Sequence, residues 1–308
     1  MLLIFALYKQ MNGIDRDKMS EVRTHLLSLP VATVLLVFIL VFVLMIVNWT
    51  IEAYKWKLLI EKIQPIRLIR TFKAVWTGVT LGLFTPNRVG EFGGRILYVP
   101  RRHRISAVIV SLIGSFSQNL ATMITGIVCL VIYIHRVEIL SPWVFGSVIL
   151  VGLIAVVLLL IAYYNLYVVI YLFKRNRFLK RVYPYLEVLK KYHNTDYSRL
   201  FIFSVIRYAV YTAQYLIFLH LFGADIAVTD GITAIGVIYI AQTLIPTFAI
   251  VEVLTRGTIA TVILSKYGVD EVTAFAASTC LWLLNLIIPA VLGYVFIIRY
   301  NFFKTRQS

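Results

Sequence analysis

The sequence predicts an all-α integral membrane protein that crosses the bilayer several times. Hydrophobic residues make up 60% of its 308 residues and charged residues only 14%, whereas a soluble domain carries roughly 45–50% apolar and about 25% charged residues. Several apolar runs reach the roughly 20 residues that a helix needs to cross about 30 Å of hydrocarbon. Mean hydropathy is +0.87, and we predict a single polytopic membrane domain over residues 1–308.

The positive charge of the chain predicts contact with anionic lipid rather than with nucleic acid. The formal net charge is +16, and the excess lies in loops beside apolar runs, as the positive-inside rule requires. We therefore expect a multi-pass protein of the plasma (inner) membrane, with a cytoplasmic C-terminus and an anionic lipid surface as a partner on the cytoplasmic side. Met1 to Tyr8 are too few to span the bilayer and are either the remnant of a further helix or an interfacial anchor.

Five apolar runs are long enough to cross the membrane on their own. They are residues 31–51, 105–134, 143–173, 200–222 and 272–298. The loop after the first run is cytoplasmic by charge, because basic residues outnumber acidic ones there: Lys55, Lys57, Lys62, Arg67, Arg70 and Lys73 against Glu52 and Glu61. Aromatic rings typical of a membrane edge stand at its start, namely Trp49, Tyr54 and Trp56.

Two further apolar stretches are too short for the roughly 40 residues that two crossings require. Residues 74–100 lie between two loops that are cytoplasmic by charge, and residues 231–265 lie between two loops without a positive excess. We predict that each forms a re-entrant helical hairpin and that the two enter from opposite faces. Non-helical backbone at membrane depth is tolerated only where protein or a wet cavity covers it, so both turns should line a cavity.

This order of spans and hairpins predicts an inverted repeat of transmembrane helices. The first repeat covers about residues 31–134, a connecting span covers 143–173, a cytoplasmic basic amphipathic segment covers 174–199, and the second, inverted repeat covers about 200–298. Transporters built from inverted repeats bind their substrate near the bilayer midplane, where the repeats meet.

Charges and glycines interrupt the first hairpin between Thr85 and Arg95, and the second hairpin repeats the pattern with Glu252 and Arg256. Insertion scales put one charge at a helix centre at about +2.5 to +3.5 kcal/mol, so such residues are functional candidates. The predicted substrate-binding residues are Arg88, Glu91, Arg95, Arg207, Glu252 and Arg256. The predicted hairpin breaks use Pro86, Gly90, Gly93, Gly94 and Pro246.

Two interpretations of the hairpin charges remain open. In the structural interpretation, each Glu and the Arg four residues later neutralise each other on one helix and only hold the helices together. In the functional interpretation, the arginines bind a lipid phosphate through charge-assisted hydrogen bonds. The glutamates then orient the arginines, contact a headgroup amine or carry a coupling proton.

Weaker candidates lie on the full spans. Arg207 shares a helical face with Tyr211 and Gln214, and it either belongs to the site or reaches the membrane interface. Amides in mid-span are interpreted as interhelical hydrogen-bonding residues, namely Gln118, Asn119 and Asn285.

The sequence lacks the usual catalytic and nucleotide-binding motifs. It contains no Walker A, GxSxG, HExxH or GxGxxG pattern, and its histidines lack ligand spacing. We therefore predict no catalytic residue, no metal site and no cofactor, and we expect a transporter driven by a gradient rather than by ATP.

The segment from Pro86 to Arg95 resembles the flippase-like family that includes the transmembrane region of bacterial lysylphosphatidylglycerol synthases, whose signature is a Pro, then Gly-Glu, then Arg. The resemblance covers nearly the whole chain, although the stretch between Pro246 and Glu252 lacks the glycines that relatives carry there. It implies movement of a phospholipid or a polyprenyl-phosphate-type lipid, with an anionic or zwitterionic headgroup, between leaflets. The soluble synthetase domain is not part of the resemblance, so it does not imply lysine transfer.

The leading hypothesis is therefore a lipid translocase whose cavity is lined by the charged hairpins. One alternative is a membrane-embedded transferase that acts on a lipid-linked headgroup or sugar, with Glu91 or Glu252 as a base. The other is an envelope-assembly subunit that transports nothing and in which the charges only join helices.

Overall fold

A computed structural model describes residues 16–137, 140–166, 168, 185–245 and 249–305. Within these ranges every regular element is helical. The helices are α1 (Arg16–Ser28), α2 (Val31–Glu61), α3 (Leu68–Gly82), α4 (Gly90–Ile96), α5 (Arg104–Arg136), α6 (Pro142–Tyr164), α7 (Asn194–Leu221), α8 (Val228–Leu244), α9 (Ala249–Leu264), α10 (Glu271–Trp282) and α11 (Ile288–Thr305). A π-helical turn, Leu283–Ile287, joins the last two helices.

The described part of the chain is an all-helical membrane protein with five helical segments long and apolar enough to cross a bilayer. These are Val31–Glu61, Arg101–Arg136, Pro142–Tyr164, Asn194–Leu221 and Glu271–Arg299. Each overlaps one of the five predicted spans. The shorter helices α3, α4, α8 and α9 fall in the two stretches for which the sequence predicted hairpins.

Helix α2 corrects the prediction that the first span ends at residue 51 and that a cytoplasmic loop follows. The helix continues to Glu61, and Glu52 and Lys55 are buried in it, with 7% and 1% of their surface exposed. Trp49 and Trp56, for which the sequence predicted a membrane edge, are also buried within the protein. The reason is helical periodicity, which turns these side chains toward the neighbouring helices; Trp56 Nε1, for example, donates to Ser111 Oγ at 2.9 Å.

The cytoplasmic basic amphipathic segment predicted over residues 174–199 is described only from residue 185 onward. Residues 174–184 lie outside the described part, as do residues 1–8 and Pro246. A 3-10 turn at Glu187–Lys191 follows, and α7 already begins at Asn194. Asp196 caps this helix by accepting from the His193 backbone N–H at 2.8 Å, and it pairs with Lys62 beyond the end of α2. The end of α2 and the start of α7 are thus held together.

Helices α3 and α4 form a tight antiparallel pair. A Cβ added to Gly94 would lie 2.5 Å from the Cα of Gly78, and one added to Gly82 would lie 2.7 Å from the side chain of Glu91. Gly78 thus faces Gly94, and Gly82 faces Glu91, so the two helices run in opposite directions. A Cβ at Gly93, by contrast, would meet no described atom within 4 Å. The backbones therefore touch at Gly94, and Gly93 faces open space.

The remaining helices pack around these short ones. Helix α3 lies on α11, where Thr80 Oγ1 donates to the Ala290 carbonyl at 2.7 Å. Helix α8 lies on α5, where a Cβ at Gly236 would come within 2.4 Å of Cys129 Sγ. Helix α9 lies on α10, and α2 lies on α7. The short helices therefore pack against longer ones, and several charged residues lie buried between them.

Candidate functional site

A cavity of about 690 Å³ opens between the helices. Its volume is within the range of roughly 300–1,000 Å³ that is typical of ligand sites. The wall includes all six residues predicted to bind substrate, Arg88, Glu91, Arg95, Arg207, Glu252 and Arg256, together with Glu52. The side chains come from helices that are far apart in the sequence, so the folded chain assembles one charged site from separate segments.

Glu52 is the centre of the charged network. Its Oε1 accepts from Arg95 Nη2 at 2.9 Å, and its Oε2 accepts from Arg207 Nη1. The Lys55 ammonium lies 3.5 Å from the same Oε2. One buried carboxylate therefore binds cations from α2, α4 and α7, and a buried charge is stable only when it is paired in this way.

The network continues from Arg95 toward the turn of the first helix pair. Arg95 Nη2 also donates to Glu91 Oε2, one helical turn earlier, at 3.3 Å. Glu91 Oε1 in turn lies 3.8 Å from Arg88 Nη1. Glu91 is thus shared by two arginines, and the favourable i,i+4 pair predicted from the sequence is one part of a longer chain of charges.

Arg88 connects the two pairs of short helices. Its Nη2 donates to both oxygens of Glu252 on α9, at 3.1 Å each, and Glu252 Oε1 also accepts from Arg256 Nε at 2.9 Å. Arg88 has a backbone φ of 56°, a left-handed conformation that costs a non-glycine residue about 1–2 kcal/mol. The turn holds the residue in this conformation, from which its guanidinium reaches Glu252.

The charges of the network do not cancel. Four arginines and Lys55 face three glutamates, Glu52, Glu91 and Glu252, within the described part of the chain. The excess is two positive charges beside an internal cavity. Arg88 and Arg256 keep 32% and 27% of their side-chain surface exposed, whereas Arg95 and Arg207 are buried.

Arg207 is buried between helices, which favours the first of the two alternatives left open by the sequence. Its Nε donates to Asn48 Oδ1 at 2.8 Å, and its guanidinium lies 5.7 Å from the Trp49 ring and 5.8 Å from the Tyr211 ring. Two aromatic rings within about 6 Å stabilise a cation by cation–π attraction. Arg207 is therefore a buried member of the site.

Amide side chains connect the neighbouring helices through hydrogen bonds and add to the polar lining of the cavity. Gln118 Nε2 donates to the Ser204 carbonyl at 3.3 Å, so this amide joins α5 to α7. Asn285 Nδ2 donates to Gln214 Oε1 at 3.1 Å and joins the π turn to α7. Asn119 lines the cavity. Within the described ranges, no group of three His, Cys, Asp or Glu side chains could hold a metal ion.

Sequence reasoning missed Glu52, Lys55 and Asn48 as parts of the site. The count of loop charges assigned Glu52 and Lys55 to a cytoplasmic loop, and it took no account of the uncharged Asn48. A usable signal was present, because Asn48, Glu52 and Lys55 recur at helical spacing with the buried Met45 and Leu59. A polar stripe on the buried face of a membrane helix is a functional-site signal in its own right.

Helices of this length around an internal charged cavity define a polytopic membrane protein with a polar site inside the helix bundle. The chain belongs to the family described as lysylphosphatidylglycerol synthase TM region, whose family model matches residues 2–293. No curated protein and no solved structure gives a significant match. Membership of this family ties the chain to membrane-lipid metabolism or translocation.

Proposed function

We propose that this protein is a lipid translocase that moves a phospholipid or a polyprenyl-phosphate-type lipid between leaflets. The headgroup passes through the charged cavity while the tails remain in the bilayer. The observation that carries this proposal is the network from Arg207 to Arg256, which lines a cavity of about 690 Å³. We place the protein in the plasma membrane, with its C-terminus in the cytoplasm.

The energetic cost of the network argues against a purely structural role. Replacing a buried ion pair by apolar residues of similar volume is often neutral or stabilising by about 1–4 kcal/mol. Ion pairs that only joined helices would therefore be an expensive solution, and they would not need a cavity beside them. Arg88 and Arg256 remain partly exposed next to that cavity, as residues that meet a headgroup must be.

Reciprocal packing supports the inverted repeat and the re-entrant hairpins that belong to this proposal. Helix α3 packs against α11 and α8 packs against α5, while α4 contacts α5 and α9 contacts α10. Helices α2 and α7 contact each other directly. If α2, α3 and α4 are matched with α7, α8 and α9, and α5 with the span formed by α10 and α11, each of these contacts has its counterpart in the other half of the chain. A two-fold relation between repeats produces such a pattern.

The link between Arg88 and Glu252 suggests how binding is coupled to motion. A phosphate that enters the cavity competes with Glu252 for the guanidinium of Arg88. Like a carboxylate, a phosphate is an anion that can accept two parallel hydrogen bonds from a guanidinium. Once Arg88 binds the phosphate, its bond to Glu252 is weakened and the two hairpins separate more easily. The repeats then rock relative to each other and expose the cavity to the other leaflet.

Neutralising Arg256 tests the proposal. In proteoliposomes with a tail-labelled phospholipid, Arg256→Gln should slow leaflet exchange about 10- to 100-fold, because a hydrogen bond to a charged group contributes about 1.5–3 kcal/mol. Arg199→Gln is the matched control, since Arg199 is exposed at the start of α7, and its rate should equal that of the unmodified protein.

Equal exchange rates for these two variants would overturn the translocase proposal. Size-exclusion chromatography must show both to be folded before rates are compared. Mass spectrometry of the same lipid extracts separates transport from chemistry, because a covalently altered lipid would support the transferase alternative instead.

A further inference from the structure

We infer that the cavity takes a net-anionic phosphate headgroup that bears hydroxyl groups and no ammonium group. The inference rests on the proposed function and narrows it, since a translocase for phospholipids could equally serve zwitterionic or cationic headgroups. It also implies that the lysylated lipid named in the family's description is not the preferred substrate of this chain.

The first argument is that every carboxylate of the site is already shared between cations. Glu52 binds Arg95, Arg207 and Lys55. Glu91 lies between Arg88 and Arg95, and Glu252 lies between Arg88 and Arg256. An ammonium group only donates hydrogen bonds, so it needs acceptors that are not already taken. Each described acidic residue that lines the cavity has at least two cationic side chains within 4 Å, so a headgroup amine would compete with cations that are already in place.

The second argument is the positive sign of the electrostatic potential that the charged network produces in the cavity. The network has an excess of two positive charges, and it lies between apolar helices where charges are screened far less than in water. An incoming anion therefore reduces the electrostatic energy of the site, whereas an ammonium group adds to the excess. The planar guanidinium groups of Arg88 and Arg256 are also suited to two parallel hydrogen bonds with phosphate oxygens.

The third argument concerns the rest of the wall. A phosphate alone would fill only a small part of about 690 Å³. Beyond the charged residues, the wall combines apolar side chains with amide and hydroxyl side chains, and the latter include Asn119, Thr122, Tyr211, Gln242 and Thr243. Amide and hydroxyl groups both donate and accept hydrogen bonds, as the hydroxyls of a glycerol or sugar do. This part of the cavity thus matches a neutral, hydroxylated extension of the phosphate.

Two kinds of lipid share this chemistry, a glycerophospholipid such as phosphatidylglycerol and a polyprenyl phosphate that carries a sugar. Proteoliposomes should therefore be prepared with each of these and, separately, with phosphatidylethanolamine and lysyl-phosphatidylglycerol, all labelled on the tail. We expect leaflet exchange of at least one hydroxylated anionic lipid to be about tenfold or more faster than that of lysyl-phosphatidylglycerol. The faster of the two hydroxylated lipids identifies the source.

Exchange of phosphatidylethanolamine or lysyl-phosphatidylglycerol at an equal or higher rate would overturn the inference. If no lipid is exchanged at all, the proposed function fails, and native mass spectrometry of the full chain with the same lipids then decides the inference separately. Preferential binding of a hydroxylated anionic lipid supports it, and equal binding or a preference for the amine-bearing lipids overturns it.

Asn119→Leu tests the hydroxyl-binding wall. This change should slow exchange of phosphatidylglycerol about 3- to 10-fold and leave that of phosphatidic acid, which has no hydroxylated extension, unchanged. Equal effects on both lipids would show that Asn119 does not contact the hydroxyls and would remove this part of the inference.

Discussion

Glu52→Gln should markedly lower the thermal stability of the protein and abolish leaflet exchange. The carboxylate is buried, and it binds Arg95, Arg207 and Lys55. Glutamine has nearly the same shape but no charge, so three buried cations lose their common partner. Breaking a buried ion pair by removing one partner costs about 3–5 kcal/mol. The loss is measured by thermal unfolding of the purified protein in detergent.

The same helix offers a matched control. Glu61 also lies on α2 and pairs with Lys57, but the side chains of Lys57 and Glu61 keep 25% and 39% of their surface exposed, and ion pairs at the protein surface contribute about 0–1 kcal/mol. Glu61→Gln should therefore unfold close to the unmodified protein. Adding Lys55→Met to Glu52→Gln should restore part of the stability, because it removes one of the unpaired cations. Equal unfolding temperatures for Glu52→Gln and Glu61→Gln would contradict the central role of Glu52.

The sequence predicted the long helices well because their signal is local. A run of about 20 apolar residues is sufficient to indicate a membrane span, and each of the five predicted spans overlaps a long apolar helix in the structure. The prediction that the first span ends at residue 51 was wrong for the same reason. Composition alone treats Glu52 and Lys55 as loop residues, and only the position of each side chain around the helix shows that both face the protein.

The connections within the site could be predicted only in part. The pairs of Glu91 with Arg95 and of Glu252 with Arg256 are four residues apart and follow from helix geometry. The bond between Arg88 and Glu252 joins residues separated by 164 positions, and that between Arg207 and Glu52 joins residues separated by 155. No periodicity within a single sequence encodes contacts of this range, since they depend on how the long helices pack.

These long-range bonds give the site its dependence on the whole fold. Arg95 is fixed on one side by Glu91 of its own helix and on the other by Glu52 of α2. Arg88 is fixed by a turn that places it in a left-handed conformation. A small displacement of α4 therefore changes both arginines at once, and the stability of the α3–α4 pair becomes a condition for headgroup binding.

Gly94→Ala should displace α4 and thereby abolish leaflet exchange. The added Cβ would lie 2.5 Å from both the Cα and the backbone nitrogen of Gly78, and backbone atoms cannot move aside as a flexible side chain does. Overpacking of this kind typically costs about 1–3 kcal/mol. Since α4 carries Glu91 and Arg95, its displacement also lengthens their bonds in the network. Thermal unfolding and leaflet exchange should therefore both be impaired.

Gly93→Ala is the control for this experiment, because it places the same methyl group one residue earlier on the same helix. No described atom lies within 4 Å of the added Cβ, and alanine is favoured over glycine within a helix by about 0.5–1 kcal/mol. We expect this variant to unfold at the same or a slightly higher temperature and to retain exchange. Similar behaviour of the two variants would mean that α3 and α4 do not approach as closely as the glycine contact requires, and Arg95 would then not be held against Glu52 by this packing.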